Sequence, residues 1–130
     1  MTRYFLDHIS LSVEDYARAK AFYLKALAPL GITLMMEFPE PGDRNHGGFG
    51  AEGKPFFWIS SGGRQTPPTH IAFGVETRAE VDAFHKAALA AGGTDNGAPG
   101  IRAMYHPSYY GAFALDPEGH NIEAVCHAAE

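Results

Sequence analysis

The stretch His8-Ile9-Ser10-Leu11-Ser12-Val13-Glu14 is written twice, returning as His70-Ile71-Ala72-Phe73-Gly74-Val75-Glu76. The same register continues through Ala17/Ala79, Ala21/Ala83, Phe22/Phe84, Leu27/Leu89, Ala28/Ala90 and Gly31/Gly93. Two copies do not make a solenoid array, so the chain reads as one duplicated module, each copy opening on a histidine. This constrains the fold more than any other feature. Whatever one copy builds, the other builds again about a pseudo-twofold axis.

Each copy spells the same order of elements. Residues 5–13 alternate, with Phe5, Ile9, Leu11 and Val13 (and Asp7) on one face of a strand and Leu6, His8, Ser10 and Ser12 on the other. Asp15 is placed to cap a helix whose apolar stripe is Tyr16, Ala19, Phe22, Tyr23, Ala26 and Leu27, ended by Pro29 and Gly31. Ile32–Phe38 reads as a strand, residues 39–48 as a Pro- and Gly-rich loop, Phe49-Gly50 as a short strand, Glu52-Gly53 as a turn and Pro55–Ile59 as a strand. In the second copy, Thr69–Glu76 is a strand and Thr77 to Glu80 a capping box. The helix that follows stops at Gly92-Gly93, and residues 94–108 read as irregular with a short strand around Ile101–Tyr105. Tyr110–Leu115, the turn Asp116-Pro117-Glu118-Gly119 and Asn121–His127 close the chain. The expectation is an α+β fold: a single domain over 1–130 made of two tandem β-α-β-β-β modules, about 1–60 and 69–130, with a Gly/Ser/Pro linker at about 61–68.

Composition narrows the function classes. With 130 residues, 45% hydrophobic and 19% charged, the chain can bury a sizeable core. A net charge of −5 offers no basic patch for nucleic acid and no cationic helix for a membrane surface. A lone cysteine, Cys126, and the lack of an apolar run near residues 1–8 point to a cytoplasmic location.

The duplication also organises the chemistry. His8 and His70 are equivalent, and their same-face neighbours are small: Ser10 and Ser12 in one copy, Ala72 and Gly74 in the other. Two such histidines should face each other across a groove with room for a ligand. Aligning Glu52-Gly53 with Glu118-Gly119 sets Phe57 opposite Glu123. His8, His70 and Glu123 then offer two imidazoles and a carboxylate, the donor set of sites that hold Fe, Mn, Co, Ni or Zn and leave positions open for substrate. The bland alternative is that the three hydrogen-bond one another. Tyr105, His106, Tyr109 and Tyr110 either line the pocket or pack as an aromatic loop; His106 and Tyr110 are the candidates for proton transfer. Phe56 and Trp58 are expected to pack under a helix, Arg102 to hold an anion or lie on the surface, His46 to sit in a loop able to serve as a lid, and Cys126 to act as a small apolar residue.

These residues resemble the vicinal oxygen chelate superfamily, which includes glyoxalase I, extradiol dioxygenases, fosfomycin-resistance enzymes and bleomycin-binding proteins. The resemblance spans the whole chain. It rests on Asp7-His8-Ile9, on Ala21-Phe22-Tyr23, on Thr69-His70-Ile71-Ala72-Phe73 and above all on Phe113 to Glu123, which contains Asp116-Pro117-Glu118-Gly119. It implies mixed sheets curled into an open cup, helices on the outer face, a divalent metal on His8, His70 and Glu123, a small-molecule substrate and a homodimer. Two departures matter. Glyoxalase I carries a fourth ligand where Phe57 was placed, and extradiol enzymes carry a tyrosine where Phe113 stands. The resemblance implies a lyase, isomerase or dioxygenase step on a substrate with vicinal oxygens, or else a metal-free drug-binding module.

Overall fold

The computed structural model describes residues 5–40 and 44–129, so Pro41, Gly42 and Asp43 of the expected loop fall outside the description. The first module contains β1 (Ile9–Val13), α1 (Tyr16–Ala26), β2 (Thr33–Glu40), β3 (Arg44–Ala51) and β4 (Lys54–Ser61). The second contains β5 (His70–Val75), α2 (Arg78–Ala90), β6 (Thr94–Ile101), β7 (Tyr110–Leu115) and β8 (Asn121–Cys126). Each forms a mixed four-stranded sheet, ordered β1-β4-β3-β2 and β5-β8-β7-β6, in which the first strand pairs parallel with the last. No helix among the described residues is long and apolar enough to cross a membrane.

Local chemistry fixes both helices. The Asp15 carboxylate accepts the Arg18 N–H at 3.0 Å, and Thr77 and Glu80 complete the expected capping box. The helices pack against their sheets and against each other, so both modules share one core. Leu11, Phe22, Tyr23, Phe49, Phe57, Phe84 and Ile122 are fully enclosed in it. Each such side chain contributes roughly 1.5–3 kcal/mol relative to an exposed one.

The turn Asp116-Pro117-Glu118-Gly119 joins the modules. Both Glu118 carboxylate oxygens accept the Glu14 N–H at 3.0 Å, and one also accepts the Asp15 N–H at 2.9 Å. These are unpaired donors at the start of α1, where the helix dipole favours an anion. Asp116 accepts the Tyr23 hydroxyl at 2.5 Å and the N–H groups of Glu118 and His120.

Two stretches expected to be irregular are strands. β2 and β3 extend into residues 39–48, and Gly47-Gly48 lie inside β3. A Cβ on Gly48 would come within 2.8 Å of the Trp58 indole, and one on Gly47 within 2.5 Å of the Tyr16 hydroxyl. These glycines therefore make room for neighbours and do not break the strand. His46 accordingly sits in a strand, with Nδ1 2.8 Å from the Ser60 hydroxyl, and not in a lid. Residues 94–101 form the edge strand β6, where Pro99 is tolerated and register shifts absorb Gly97 and Gly100. The Arg102 guanidinium braces this edge by donating to the carbonyls of Ala98 and Gly100, both at 2.8 Å.

The equivalence of the last strands also needs correcting. In β1–β4, Ile9 pairs with Phe57 and Ser10 with Trp58; in β5–β8, Ile71 pairs with Ile122 and Ala72 with Glu123. Trp58, not Phe57, therefore matches Glu123. The cause is a register shift in β3–β4, where Phe49 pairs with Phe57 but Gly50 with Pro55, leaving Phe56 as the extra residue of a bulge. Phe57 instead lies within the core, its ring 4.9 Å from Tyr23 and 5.5 Å from Phe73.

Candidate metal centre

Strand β8 turns Ile122, Ala124 and Cys126 toward the helices and Glu123 to the opposite face. Glu123 is nevertheless only 1% exposed. A carboxylate this enclosed needs compensating donors. It has two: Oε1 lies 2.8 Å from His70 Nε2, and Oε2 accepts the hydroxyl of Tyr109. A carboxylate can only accept, so His70 Nε2 carries the proton in this pair. Gly111 makes the arrangement feasible, because a Cβ there would stand 3.1 Å from the Tyr109 ring and 3.2 Å from Glu123 Oε2. Desolvation, followed by the hydrogen bond to Glu123, pushes the Tyr109 phenol up to about 12, so it remains a donor.

His8 immediately precedes β1 and is half-exposed. Its Nδ1 lies 2.7 Å from Asp7 Oδ1, which leaves Nε2 as the lone-pair nitrogen. Asp7 also accepts from Lys54 Nζ at 2.9 Å. The His8 ring and Lys54 hold the Asp7 carboxyl below the usual carboxylate range. His8 and His70 border one groove of about 830 Å³, together with Ile9, Phe56, Ala72 and Gly74. Glu123 lies beneath His70 and does not line that groove. Among the described residues, no three His, Cys, Asp or Glu side chains gather within one chain.

The two proton-transfer candidates lie apart from this pair. Tyr110 faces the helix side, donating to Asp82 at 2.6 Å with the Arg78 guanidinium 5.1 Å from its ring. His106 Nδ1 accepts the Ser108 N–H at 3.0 Å, and its ring lies 5.6 Å from that of His127. Tyr109 is the tyrosine that reaches Glu123, although the sequence reading favoured its neighbour. Strand parity carries the missing signal. Phe113 pairs with Glu123, so Gly111 and Tyr109 share its face, while Tyr110 points the other way.

A model of the glyoxalase/bleomycin resistance protein/dioxygenase superfamily matches residues 5–124. The chain belongs to that superfamily. No protein of curated function matches it. A glyoxalase/bleomycin resistance protein from Albidiferax ferrireducens is 25% identical, with TM-score 0.74, over 95% of this chain and 98% of the other. FosX, a fosfomycin resistance protein from Listeria monocytogenes solved with Mn(II), is 22% identical with TM-score 0.67, over 93% and 90% of the two chains. A glyoxalase I variant from Zea mays is 22% identical with TM-score 0.71, over 92% of this chain but only 46% of that one. The last two likenesses concern the fold. The strand position equivalent to Glu123 in the first module carries the Trp58 indole, which cannot ligate a metal.

Proposed function

We propose that the protein is a metal-dependent enzyme acting on a small molecule with vicinal oxygens, and that His8, His70 and Glu123 hold one divalent ion. The observation that carries this reading is the His70–Glu123 pair. An ion would replace the proton that His70 Nε2 shares with Glu123, and the two atoms, 2.8 Å apart with one on an otherwise enclosed carboxylate, match the spacing of neighbouring ligands that each sit about 2.0–2.2 Å from a first-row divalent ion. Asp7 supports the third ligand by fixing the His8 tautomer with Nε2 available. FosX, which shares the fold, was solved with Mn(II); Fe, Mn, Co, Ni and Zn all suit imidazole and carboxylate donors.

Such an ion supplies Lewis acidity toward a chelated carbonyl or enolate oxygen. The chain's own residues do the rest. His70 and Glu123 fix the position of the ion, and Tyr109 holds the second Glu123 oxygen so that the carboxylate cannot swing out to solvent. Tyr109 keeps its proton well above neutral pH, so it serves as a hydrogen-bond donor and not as a base. The groove beside His8 and His70 accommodates the substrate. Trp58, in the place equivalent to Glu123, provides no fourth ligand and no base, which argues against the glyoxalase I reaction in favour of another lyase, isomerase or dioxygenase step.

We further propose that a homodimer completes the site. His8 bonds Asp7, which also accepts from Lys54, while His70 bonds Glu123, and β1 and β5 each stand at the end of their sheet, where a second copy can pack. Metal analysis of protein reconstituted with Mn(II) or Fe(II) tests the core of this reading. We expect one ion per chain in the native protein and none in His70→Ala or Glu123→Gln; a native protein that retains no ion would falsify it. A metal-free binding role has one observation in its favour, since Glu123 is already satisfied by Tyr109 and His70. Thermal stabilisation by ligand that is unaffected by EDTA and by His8→Ala would select that role.

A further inference from the structure

Strand β6 contains the only Asn-Gly step in the chain, Asn96-Gly97. Such a step carries its own reaction. The Gly97 nitrogen can lose its proton and attack Asn96 Cγ, because glycine places no side chain in the way. A C–N bond forms, the Cγ–Nδ2 bond breaks, and the amide nitrogen leaves as ammonia with the proton. Water then opens the cyclic imide at either carbonyl. The product is aspartate or, with the backbone rerouted through the side chain, isoaspartate.

Packing keeps this labile step in place. Gly97 has φ +152°, and a Cβ there would stand 2.9 Å from the Phe113 ring and 3.1 Å from the Arg102 guanidinium, so the glycine is required. Asn96 is the extra residue of a bulge between the pairs Asp95–Ala114 and Gly97–Phe113, and it is exposed to water. Both reacting groups are nevertheless engaged. The Gly97 N–H donates to Asp95 Oδ1 at 3.0 Å, and Asn96 Nδ2 donates to Asn121 Oδ1 at 3.2 Å. His85, on α2 and with its side chain only 12% exposed, holds the same Asp95 oxygen at 2.9 Å. The Gly97 N–H, followed by the His85 bond, keeps the Asp95 carboxyl below the usual carboxylate range, so it is an anion at neutral pH.

We propose that Asn96 is a latent deamidation site and that Asp95, His85 and Asn121 form the guard that keeps it closed. Asp95 acts on the nucleophile. Taking the proton from an N–H that faces a carboxylate puts two negative charges side by side, which disfavours the anion that attacks. His85 acts through Asp95, fixing the carboxylate against the Gly97 N–H. Asn121 acts on the electrophile, tying the Asn96 amide across to β8 and opposing its return toward the Gly97 nitrogen. The guard matters to the sheet that carries Glu123. A carboxylate at position 96 has no proton to donate to Asn121 Oδ1, and isoaspartate lengthens the β6 backbone by an extra carbon, out of step with β7. The inference needs neither metal nor substrate.

The test incubates the full-length protein, folded and in urea, at mildly alkaline pH. Conversion of Asn96 is followed by peptide mass spectrometry, with fragmentation that separates aspartate from isoaspartate. Asn96 should convert several-fold more slowly in the folded protein than in urea, and the product should contain both aspartate and isoaspartate. Asp95→Ala should restore most of the urea rate in the folded protein, with the unfolding midpoint unchanged. His85→Ala, which leaves Asp95 in place without its brace, should give a smaller rise. Equal native rates in the folded protein and in urea overturn the proposal, as does Asp95→Ala converting at the native rate. A rise in Asp95→Ala accompanied by faster hydrogen exchange throughout both modules means general loosening and overturns it too. So does a product that is aspartate alone, because direct hydrolysis passes through no imide.

Discussion

Tyr23 shows what one hydroxyl does in this core. Its ring is fully enclosed among Phe22, Phe49 and Phe57, and its oxygen reaches the buried Asp116 carboxylate of the other module. Desolvation, reinforced by the Asp116 charge, pushes the phenol well above its ordinary value. Tyr23→Phe keeps the packing but leaves Asp116 short of a donor, which should cost about 1–3 kcal/mol in urea unfolding at neutral pH. The pH dependence has a definite sign. The phenol titrates higher in the folded state than in the unfolded chain, so its contribution is complete below about pH 10 and is lost as pH rises above that. Unfolding midpoints at about pH 8 and pH 11 should therefore converge between native protein and Tyr23→Phe at the higher pH; a gap that stays constant would show that Tyr23 is not the titrating partner. The sequence placed Tyr23 on the apolar stripe of α1, but nothing in it revealed the partner, because Asp116 lies in a turn of the other module.

Among the elements, β4 carries the most consequential detail. Pro55–Ile59 read as a strand after the Glu52-Gly53 turn, and the repeat announced its partner, yet the equivalence drawn from Glu52-Gly53 and Glu118-Gly119 was displaced by one residue. Turn sequences align easily, whereas a bulge is set by backbone pairing and leaves no motif. One residue of displacement exchanges the faces of the strand, placing Phe57 in the core and Trp58 in the concavity. Two substitutions measure this directly. Phe57→Ala should destabilise by about 3–5 kcal/mol, as large-to-small changes in a filled core do. Trp58→Glu puts its charge on the open face and should leave the protein folded. If Phe57→Ala proved the milder of the two, the register would be wrong. The Gly47-Gly48 pair tells a related story, since glycine within a strand looks like a loop until the ring lying over it is known. Where the signal was local, as in Asp15, Thr77 and Glu80, it was legible outright.

The β7–β8 turn works between elements. Its Asp-Pro-x-Gly pattern was a family signature in the sequence; in the fold it is the clasp that sets Glu118 on the first turn of α1. Glu118 is only 5% exposed, so removal of its carboxylate strands two backbone donors. Glu118→Ala should cost about 2–3 kcal/mol, given the strength of hydrogen bonds to charged groups. Hydrogen exchange should localise the loss to the start of α1, and a uniform increase across both modules would refute the clasp.

At the scale of the whole molecule, the duplication pointed to two equivalent histidines but not to whether a site takes them from one chain or two. One copy brings His70 and Glu123 together, and keeps His8 with Asp7. If the third ligand is the partner's, single-site variants must complement each other. His8→Ala destroys the His8 contribution of one chain, and His70→Ala the imidazole of the other. In a mixed dimer, both lesions fall in the same site and the second site remains whole. Random reassociation makes half of all dimers mixed, each with one intact site of two, so the mixture should recover about a quarter of the native metal content. Neither variant alone should hold any. A site built within a single chain makes the opposite prediction, because every site in the mixture would then carry one lesion, and metal content after co-refolding would stay at zero.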